Sequence, residues 1–478
     1  MRSVVLNDWL SMAPVSIDGA RLQRVETEMV QLVDITVSSH QFSESLFSPS
    51  NLGQLYWFAK FLDDARAQAV GSKLVLCAGT DVEIVTACSF LAGGYMIILE
   101  NATVEQITSS FQPIAHMFQA FHDPLQTMSV GEGLTVQDGW RALHQAKANG
   151  WVNFEDEEVD VDSCIDMQEY QHYDNPLNGY LHVIIPSRLV AISTPSNLVS
   201  MSEASNGQWL DLEGRRFFGP EFYADILGGD FGVEVLVRCD REEADHGESW
   251  LVENGSHDQP YALGQLESYD DSAFSERGMA VERLAVSRGD GVLPSGVLLR
   301  DVDRFLTLAR LAPGAIAIHG DDGPGLGCGG ELLVSSLLIK RHGFDARSAL
   351  AWTRMAHPPA APRSLAFSLA PATGTPVPIS TRRSYRMARR LSAPAALPCP
   401  EPPAVAPALP DTDSAGEAGP ACLAAADDGP DWAPADLPAA PVRRRRRLSL
   451  LLERHSASAP DVFDRLALNR GPAAELAT

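Results

Sequence analysis

The sequence predicts an α/β protein in which helices flank central sheets, built as two domains and followed by a disordered tail. Three observations support this class. The chain has 478 residues, which is too many for one ordinary hydrophobic core. Apolar runs of strand length alternate with helical patterns as far as residue 357. Beyond that point proline and alanine dominate and large apolar residues are few, so the segment has little apolar surface to bury.

Hydrophobic patterns in the first part of the chain predict alternating helices and strands. Residues 51–69 carry apolar side chains at helical spacing, and residues 72–78 form an apolar run typical of a buried strand. The segment "DVEIVTACSFLAGGYMIILE" (81–100) is predicted as a helix that runs into another apolar segment. A second clear helix follows at 134–150.

The second part of the chain repeats this alternation. Two strands about a turn are predicted at 181–193, and a buried strand at 231–239. A helix at 300–312 then leads into the apolar strand "GAIAIHG" (314–320), and "ELLVSSLLIKRHG" (331–343) has the pattern of a helix. Both parts therefore favour an α/β layer architecture.

Changes in composition predict the domain bounds. The acidic run "FEDEEVDVD" is a plausible connector between two domains, and a second acidic run follows the strand that ends near Cys239. This second run is either a solvated insertion or an acidic wall beside a groove for basic peptides. The predicted divisions are a leader (1–19), an N-terminal domain (20–150) with linker helix 134–150, an acidic connector (151–166), a C-terminal domain (167–357) with an acidic insertion (240–271), and a disordered tail (358–478).

The formal net charge of −25 argues against nucleic-acid and anionic-membrane partners and favours basic ones. Seven scattered cysteines without a C-x-x-C pair fit a reducing compartment. The first residues lack the pattern of a signal peptide, and the most apolar stretch, 90–99, is about half the length that spans a bilayer. We expect a protein of the cytoplasm, the nucleus or both.

A glycine-rich turn at 320–330 is the most informative motif. Residues 325–330 satisfy G-x-G-x-x-G between a strand and a helix, and such a turn can aim backbone N–H groups at an anion. A dinucleotide site needs further β-α units downstream, and a Walker loop needs a Gly-Lys-Ser/Thr that is missing here. Asp321 and Asp322 with His319 leave a divalent metal site as another alternative.

The same region resembles the signature of the mitotic-exit dual-specificity protein phosphatases, the cell-division-cycle-fourteen family. The family motif runs Ala-Ile-Ala-Val-His-Cys-Lys-Ala-Gly-Leu-Gly-Arg-Thr-Gly-Thr-Leu. The resemblance continues, in order, over about residues 40–357. Its other parts are "FSPSNLGQLYWFAKFLDD", "GGYMIILENATVEQ", "LTVQDGWRALHQAKANGWVNFEDEEVDVD", "EYQHYDNPLNGYLHVIIPSRLVAISTP" and "SAFSERGMAVERLAVSRGDGVLPSG". The resemblance implies tandem dual-specificity-phosphatase-like domains joined by a linker helix, and no cofactor.

Compared with the family motif, the chain keeps the strand–loop–helix pattern but lacks most of the residues that carry out the reaction. A cysteine-based phosphatase needs a thiolate five residues before an arginine, and an aspartate to protonate the leaving alkoxide. His319 matches the family's histidine, but Gly320 stands at the nucleophile and Cys328 at the arginine. Asp290 matches the general acid. The remaining positions of the loop, which is two residues longer than in the family, are Asp321, Asp322, Gly323, Gly325, Gly327 and Gly329.

These departures predict a pseudophosphatase that acts as a scaffold in cell-cycle signalling. If Asp321 or Asp322 points into the loop, a carboxylate about 4 Å from a phosphate repels it by roughly 4 kcal/mol per charge pair at an effective dielectric of 20. The first alternative is an active phosphatase acting on phosphoserine or phosphotyrosine proteins, for instance with Cys328 as a displaced nucleophile. The second is a metal- or nucleotide-binding protein that reuses the loop.

The tail contains "RRLS" twice, ending at Ser392 and Ser449. Basic residues just before serine suit basophilic kinases, whose acidic pockets recognise them. The run Arg443–Arg447 is also a candidate nuclear import signal, or simply a solvated stretch that offsets the acidic core. The partners we expect are basic or Ser-Pro-containing proteins, with kinases acting on the tail.

Overall fold

The computed structural model divides into two units, residues 1–377 and residues 378–478, and all described residues belong to the first. The described residues are 3–16, 30–34, 50–69, 71–121, 133–155, 163–202, 207–212, 215–239, 269–284, 295–320 and 325–358. The predicted tail and most of the acidic insertion lie outside these ranges, and the predicted domain bounds remain a prediction.

The first sheet has the order β1-β2-β4-β3. Its middle strand β4 runs parallel to both neighbours, and β1 is an antiparallel edge strand. The bounds are β1 (Val4–Val5), β2 (Leu10–Ala13), β3 (Val30–Asp34) and β4 (Lys73–Cys77). The helices around it are α1 (Leu52–Gln68), α2 (Val82–Ile98), α3 (Val104–Phe111) and α4 (Val136–Ala148), with a 3₁₀ turn at Gln112–Met117.

The second sheet has the order β10-β9-β11-β6-β5, and only the edge strand β5 is antiparallel. Its strands are β5 (Leu181–Ile185), β6 (Leu189–Ile192), β9 (Val233–Arg238), β10 (Ala280–Arg283) and β11 (Ala315–His319); β7 (Trp209–Leu212) and β8 (Arg215–Phe218) form a separate hairpin. Every residue of β11 is buried, as expected of a central parallel strand covered on both faces.

The helices of this second part are α5 (Met167–Tyr173), α6 (Leu198–Met201), α7 (Pro220–Ile226), α8 (Ser272–Ser275), α9 (Ser295–Leu311), α10 (Gly327–His342) and α11 (Ala346–Ala356). A 3₁₀ turn at Pro176–Asn178 and a π turn at Leu227–Phe231 complete the described elements. These elements and the two sheets confirm the predicted α/β class.

Helix α4 connects the two halves. It packs against α2 on one side and α11 on the other. Its N-terminus has a capping box, in which Thr135 accepts from the backbone of Asp138 and the Asp138 carboxylate accepts from the backbone of Thr135. Asp138 is buried and also accepts two hydrogen bonds from Arg347 of α11, at 3.0 and 2.8 Å. The predicted linker helix is therefore present and held to both halves.

One helix is longer than the sequence predicts. The segment taken as a helix running into another apolar segment is a single helix, α2, from Val82 to Ile98. The glycine pair in its middle does not interrupt it, because Gly93 lies against the indole of Trp140 and Gly94 against Leu55. These contacts leave no room for side chains, so close packing explains both glycines.

The helix after the glycine-rich turn also begins earlier than predicted. We expected it to start near residue 331, but α10 starts at Gly327. Gly327, Cys328 and Gly329, which the sequence pattern assigns to the glycine-rich turn, therefore lie in the first turn of the helix. Within α10, Leu332 is 37% exposed, whereas Leu333 and Leu337 are buried. In the part of the chain that is described, no helix is long and apolar enough to span a membrane.

Candidate functional site

The candidate site lies at the carboxyl end of β11, the middle strand of the second sheet. Strands β9 and β6 flank β11 and run parallel to it, so three carboxyl ends meet at this edge. Open parallel sheets bind ligands at such edges. His319 ends β11, Gly320 follows it, and α10 begins at Gly327. A strand and a helix of the core therefore hold the loop on both sides.

His319 is fully buried, and both of its ring nitrogens are hydrogen-bonded. The Nδ1 atom lies 2.6 Å from the carbonyl oxygen of Gly320, which can only accept, so we assign the proton of the neutral ring to Nδ1. The Nε2 atom then accepts from the hydroxyl of Tyr269 at 2.7 Å. Thr194 also donates to the Gly320 carbonyl, at 2.9 Å. Two donors thus fix the carbonyl group that follows β11.

A buried arginine supports this histidine from the neighbouring strand. Arg238 ends β9 and lies in the same row of the sheet as His319. Its guanidinium carbon is 3.8 Å from the ring centre of Tyr269, and its Nη1 donates to the Tyr269 carbonyl at 3.2 Å. Asp271 forms an ion pair with Arg238 and accepts from Arg283 at 3.1 Å. Tyr269 is therefore held against His319 by charged neighbours.

The position of the expected nucleophile has no space for a side chain. A Cβ atom at Gly320 would lie 2.5 Å from the carbonyl oxygen of Leu326 and 3.0 Å from that of Gly325. Both neighbours are backbone atoms, which cannot rotate away as a side chain can. In addition, carbonyl oxygens carry negative partial charge, so the groups facing this position are unsuited to a thiolate or a phosphate.

The first turn of α10 lacks the side-chain cap that most helices have. Leu326 is the N-cap residue, has αR backbone angles and provides no side-chain hydrogen bond. Gly327 has a φ of +61°, in the left-handed region that favours glycine. Glu331, one turn into α10, is buried and accepts two hydrogen bonds from Arg354, both 2.9 Å long. This bidentate pair engages the guanidinium of Arg354.

The structure brings only part of the predicted site together. His319, Gly320 and Gly325 surround the end of β11, and Gly327 and Gly329 lie in the first turn of α10. Several predicted residues lie outside the described part of the chain: Asp290, Asp321, Asp322, Gly323, Ser392 and Ser449. Their predicted roles remain predictions.

Four residues near the end of β11 are not indicated by any sequence motif considered above: Tyr269, Thr194, Arg238 and Asp271. Each lies far from His319 in the chain, and of the four only Thr194 falls within a segment that resembles the family. A usable signal did exist for two of them, since Arg238 ends a predicted strand and Thr194 follows another. Carboxyl ends of parallel strands share one edge of a sheet, so both positions were candidates once the strands had been assigned.

A groove elsewhere in the described residues shares no residue with this site. It has a volume of about 710 Å³ and is lined by Leu6, Met96, Glu100 and Glu105, with other polar residues of α3. Glu100 is already paired with Arg66 at 3.0 Å. The groove is therefore not part of the candidate site.

Comparison with known proteins gives a consistent family. The family described as "Dual specificity protein phosphatase, N-terminal half" matches residues 15–146. The dual specificity protein phosphatase CDC14AB of Danio rerio is 26% identical over 317 residues, covering 65% of this chain and 43% of that protein. CDC14C of Homo sapiens is 24% identical over 335 residues, covering 68% and 61%. The tyrosine-protein phosphatase CDC14 of Candida albicans is 26% identical over 320 residues, covering 65% and 48%.

Among solved structures, the crystal structure of PTPMT1 aligns with a TM-score of 0.24 and 12% identity, covering 44% of this chain and 98% of that one. That score is too low to support the fold assignment, which rests on the strand order described above.

The described structure has two α/β halves, each with a largely parallel sheet, joined by a helix, and a buried histidine precedes the glycine-rich loop; this arrangement agrees with the tandem phosphatase-like domains that the resemblance implies. The matched family and relatives narrow the class further. The chain is similar to the CDC14-type dual-specificity protein phosphatases over about two thirds of its length. It spans about half the length of the curated relatives that it matches.

Proposed function

We propose that this chain is a pseudophosphatase: a CDC14-like protein that does not hydrolyse phosphoesters and acts as a binding scaffold in cell-cycle signalling. The observation that carries the proposal is Gly320. It occupies the position of the nucleophile directly after β11, and backbone carbonyl oxygens fill the space that a side chain needs there. Cys328 at the position of the arginine supports the same conclusion.

Energetic estimates favour inactivity over weak activity. Without a nucleophile the covalent route is lost, and rates fall by orders of magnitude. The missing arginine removes a bidentate contact whose hydrogen bonds to charged groups are worth about 1.5–3 kcal/mol each. The network of His319, Tyr269 and Thr194 remains, but it fixes the backbone and supplies neither a thiolate nor a guanidinium.

The proposed partners follow from charge. An acidic chain suits basic or Ser-Pro-containing proteins, and it disfavours nucleic acid and anionic membranes. Basophilic kinases are proposed to act at Ser392 and Ser449, each preceded by "RRL". We propose a location in the cytoplasm, the nucleus or both.

Hydrolysis of a small aryl phosphate by the purified full chain tests inactivity. We expect no turnover above that of a mock preparation, and no change in the Asp290→Ala variant. Cys328→Ser is the decisive control, because activity that disappears in that variant identifies Cys328 as a displaced nucleophile. Such a result would establish an active phosphatase and overturn the proposal.

Peptide binding tests the scaffold part of the proposal separately. A basic peptide and a phosphorylated acidic peptide of equal length are titrated into the full chain at low and moderate ionic strength. We expect the basic peptide to bind more tightly, with an affinity that falls as salt screens the attraction. Tighter binding of the phosphopeptide, or binding of the basic peptide that is independent of salt, contradicts the expectation.

A further inference from the structure

Helices α9 and α10 carry an exposed apolar surface away from the candidate site. Among the described residues six large apolar side chains are exposed, and four of them lie on these two helices: Leu299, Leu311, Leu332 and Ile339. Leu299 is 64% exposed, Leu332 37% and Ile339 39%. Apolar side chains that are exposed singly need no explanation, but a group of them in one place is typical of an interaction surface.

The two helices lie side by side. Helix α9 connects the parallel strands β10 and β11, and α10 follows β11, so both helices run opposite to the strands. They pack against each other, which leaves a shallow groove along their line of contact. Because α10 has 16 residues, this groove is about 24 Å long, enough for four turns of a third helix.

The contacts of α9 show which of its sides faces α10. Arg304 forms an ion pair with Glu282 of β10, the edge strand, so α10 lies on the opposite side of α9. Val302 and Leu306 are each two residues from Arg304, which turns them about 200° away from it, toward α10. Both are partly buried against the core. Leu299, one turn before Val302, continues the same row into solvent.

Helix α10 presents a second row beside the first. Leu332, Ser336 and Ile339 follow one another at spacings of four and three residues, so they lie along one face of the helix. Glu331 reaches Arg354 of α11 on another side, which separates this face from α11. Ser336 is half-buried between the two exposed apolar residues. We call Leu299, Leu332 and Ile339 the apolar strip.

The charges around the apolar strip are mainly positive. The lysines and arginines of the two helices are Arg300, Arg304, Arg310, Lys340 and Arg341. Of their acids, Asp301 and Glu331 are buried, and Glu331 is paired with Arg354. Among the described side chains of the two helices this leaves Asp303 as the exposed acid. In a chain with a net charge of −25, such a basic surface favours an acidic partner.

We propose that the apolar strip and the bases beside it bind an acidic amphipathic helix of a partner protein. Apolar side chains of that helix, spaced three and four residues apart, pack on the strip, and its carboxylates face Arg300 and Lys340. This surface lies beyond the proposed function, which assigns basic partners to the chain. A scaffold with both surfaces joins an acidic partner to a basic one, whether or not the chain hydrolyses phosphoesters.

Fluorescence anisotropy with a labelled peptide and the full chain tests the proposal. The probe is a helical peptide of about 15 residues, roughly 22 Å long, with leucines along one face and glutamates elsewhere. A scrambled peptide of the same composition spreads the leucines around the helix. We expect the probe to bind about tenfold more tightly than the scrambled peptide, with an affinity that falls as salt rises. Equal binding of the two peptides, or no binding of the probe, overturns the proposal.

Substitutions locate the binding site. Leu332→Glu and Ile339→Glu are each expected to weaken binding of the probe about tenfold, because they place a carboxylate in the strip. Leu311→Glu is the matched control: Leu311 is 66% exposed on α9, seven residues after Arg304, and therefore on the side that faces away from α10. It is expected to leave the affinity unchanged. Arg300→Gln is expected to weaken binding about threefold at low salt and less at moderate salt.

Binding that survives both Leu332→Glu and Ile339→Glu, or that Leu311→Glu weakens equally, overturns the proposal, and urea unfolding confirms that each variant is folded. Sedimentation of the parent chain and binding to phosphatidylcholine vesicles with phosphatidylserine test two other occupants. Self-association or vesicle binding that Ile339→Glu abolishes would assign the strip to a second copy or to a membrane, and would overturn the proposal. The basic peptide is expected to bind these variants as it binds the parent chain, so failure of the proposed function is seen separately.

Discussion

The two sheets contain strand–loop–helix units of the same topology that end differently. In the first unit β4 leads through residues 78–81 to α2, and in the second β11 leads through residues 320–326 to α10. Both strands lie between two parallel neighbours, and both helices are largely buried. Asp81 caps α2 by accepting from the backbone of Ile84 at 3.1 Å, whereas Leu326, the N-cap residue of α10, makes no side-chain hydrogen bond to the helix.

The two units thus share a topology but differ in the groups that surround the start of the helix. The carboxylate of Asp81 satisfies an N–H group at the start of α2 and complements the helix dipole, which leaves little attraction for an external anion. Where the second unit has His319 and Gly320, the first has Cys77 and Ala78. The hydrogen bonds that His319, Tyr269 and Thr194 make around the carboxyl end of β11 therefore belong to the second unit. The topology alone does not make a phosphate site.

Gly320→Cys is expected to have the largest effect. Its Cβ would approach the Leu326 carbonyl oxygen at 2.5 Å, so the backbone has to shift, and we expect the free energy of unfolding to fall by about 3 kcal/mol. The equivalent position of the first unit, Ala78, already carries a buried Cβ. Urea unfolding measures the change, and we expect no phosphatase activity from the variant.

Gly228→Ala is the matched control for this substitution, because its Cβ would make an ordinary contact of 3.7 Å with Met279. It is expected to change stability by a few tenths of a kcal/mol. A Gly320→Cys protein as stable as the parent chain and active on an aryl phosphate would show that the loop opens to admit a thiol, and that the steric argument is wrong.

The C-terminal ends of α2 and α10 also differ, and the end of α10 leads to a prediction of how stability depends on pH. At the end of α2, the Nζ atom of Lys147 donates to the carbonyl oxygens of Ile97 and Ile98, at 2.8 and 2.7 Å. At the end of α10, burial lowers the pKa of His342 to about 4, with Arg341 and Arg188 adding to the effect. The unfolded chain therefore binds this proton first. Stability from the neutral ring is lost between pH 6.5 and pH 4, by about 2–3 kcal/mol.

Urea unfolding of the parent chain and of His342→Gln at pH 7, 5.5 and 4.5 measures this effect. The difference between the two proteins is expected to shift in favour of the variant as the pH falls. Parallel curves would contradict the assignment of a buried neutral ring.

Strong periodicity made much of the fold predictable. The helix at 51–69 and the strand at 72–78 agree with α1 and β4 within one residue at each end. The paired strands at 181–193 also agree, since apolar runs interrupted by a turn have few alternatives. The predicted ends of α2 and α10 are wrong near glycines. The effect of a glycine on a helix depends on tertiary neighbours such as Trp140, and a local sequence pattern does not contain them.

The candidate site was only half predictable for a similar reason. His319 and Gly320 lie in one contiguous motif, so the sequence identified them. Tyr269, Arg238 and Thr194 come from separate segments, and only the strand order β9-β11-β6 brings them together. The lack of space at Gly320 depends on the position of the Leu326 carbonyl group, which no sequence rule specifies.

Removal of the cap in the first unit is expected to have the smallest effect. Asp81→Ala deletes the carboxylate that accepts from Ile84, and we expect the free energy of unfolding to fall by about 1 kcal/mol. Asp81→Asn keeps a side-chain oxygen that can accept the same hydrogen bond and loses only the charge, so its cost is expected to be a few tenths of a kcal/mol. Both are measured by urea unfolding near pH 7, where the carboxylate is ionised. If the alanine variant is as stable as the asparagine variant, the hydrogen bond does not hold the start of α2. In that case the side-chain cap of α2 would not account for the difference between the N-terminus of α2 and that of α10.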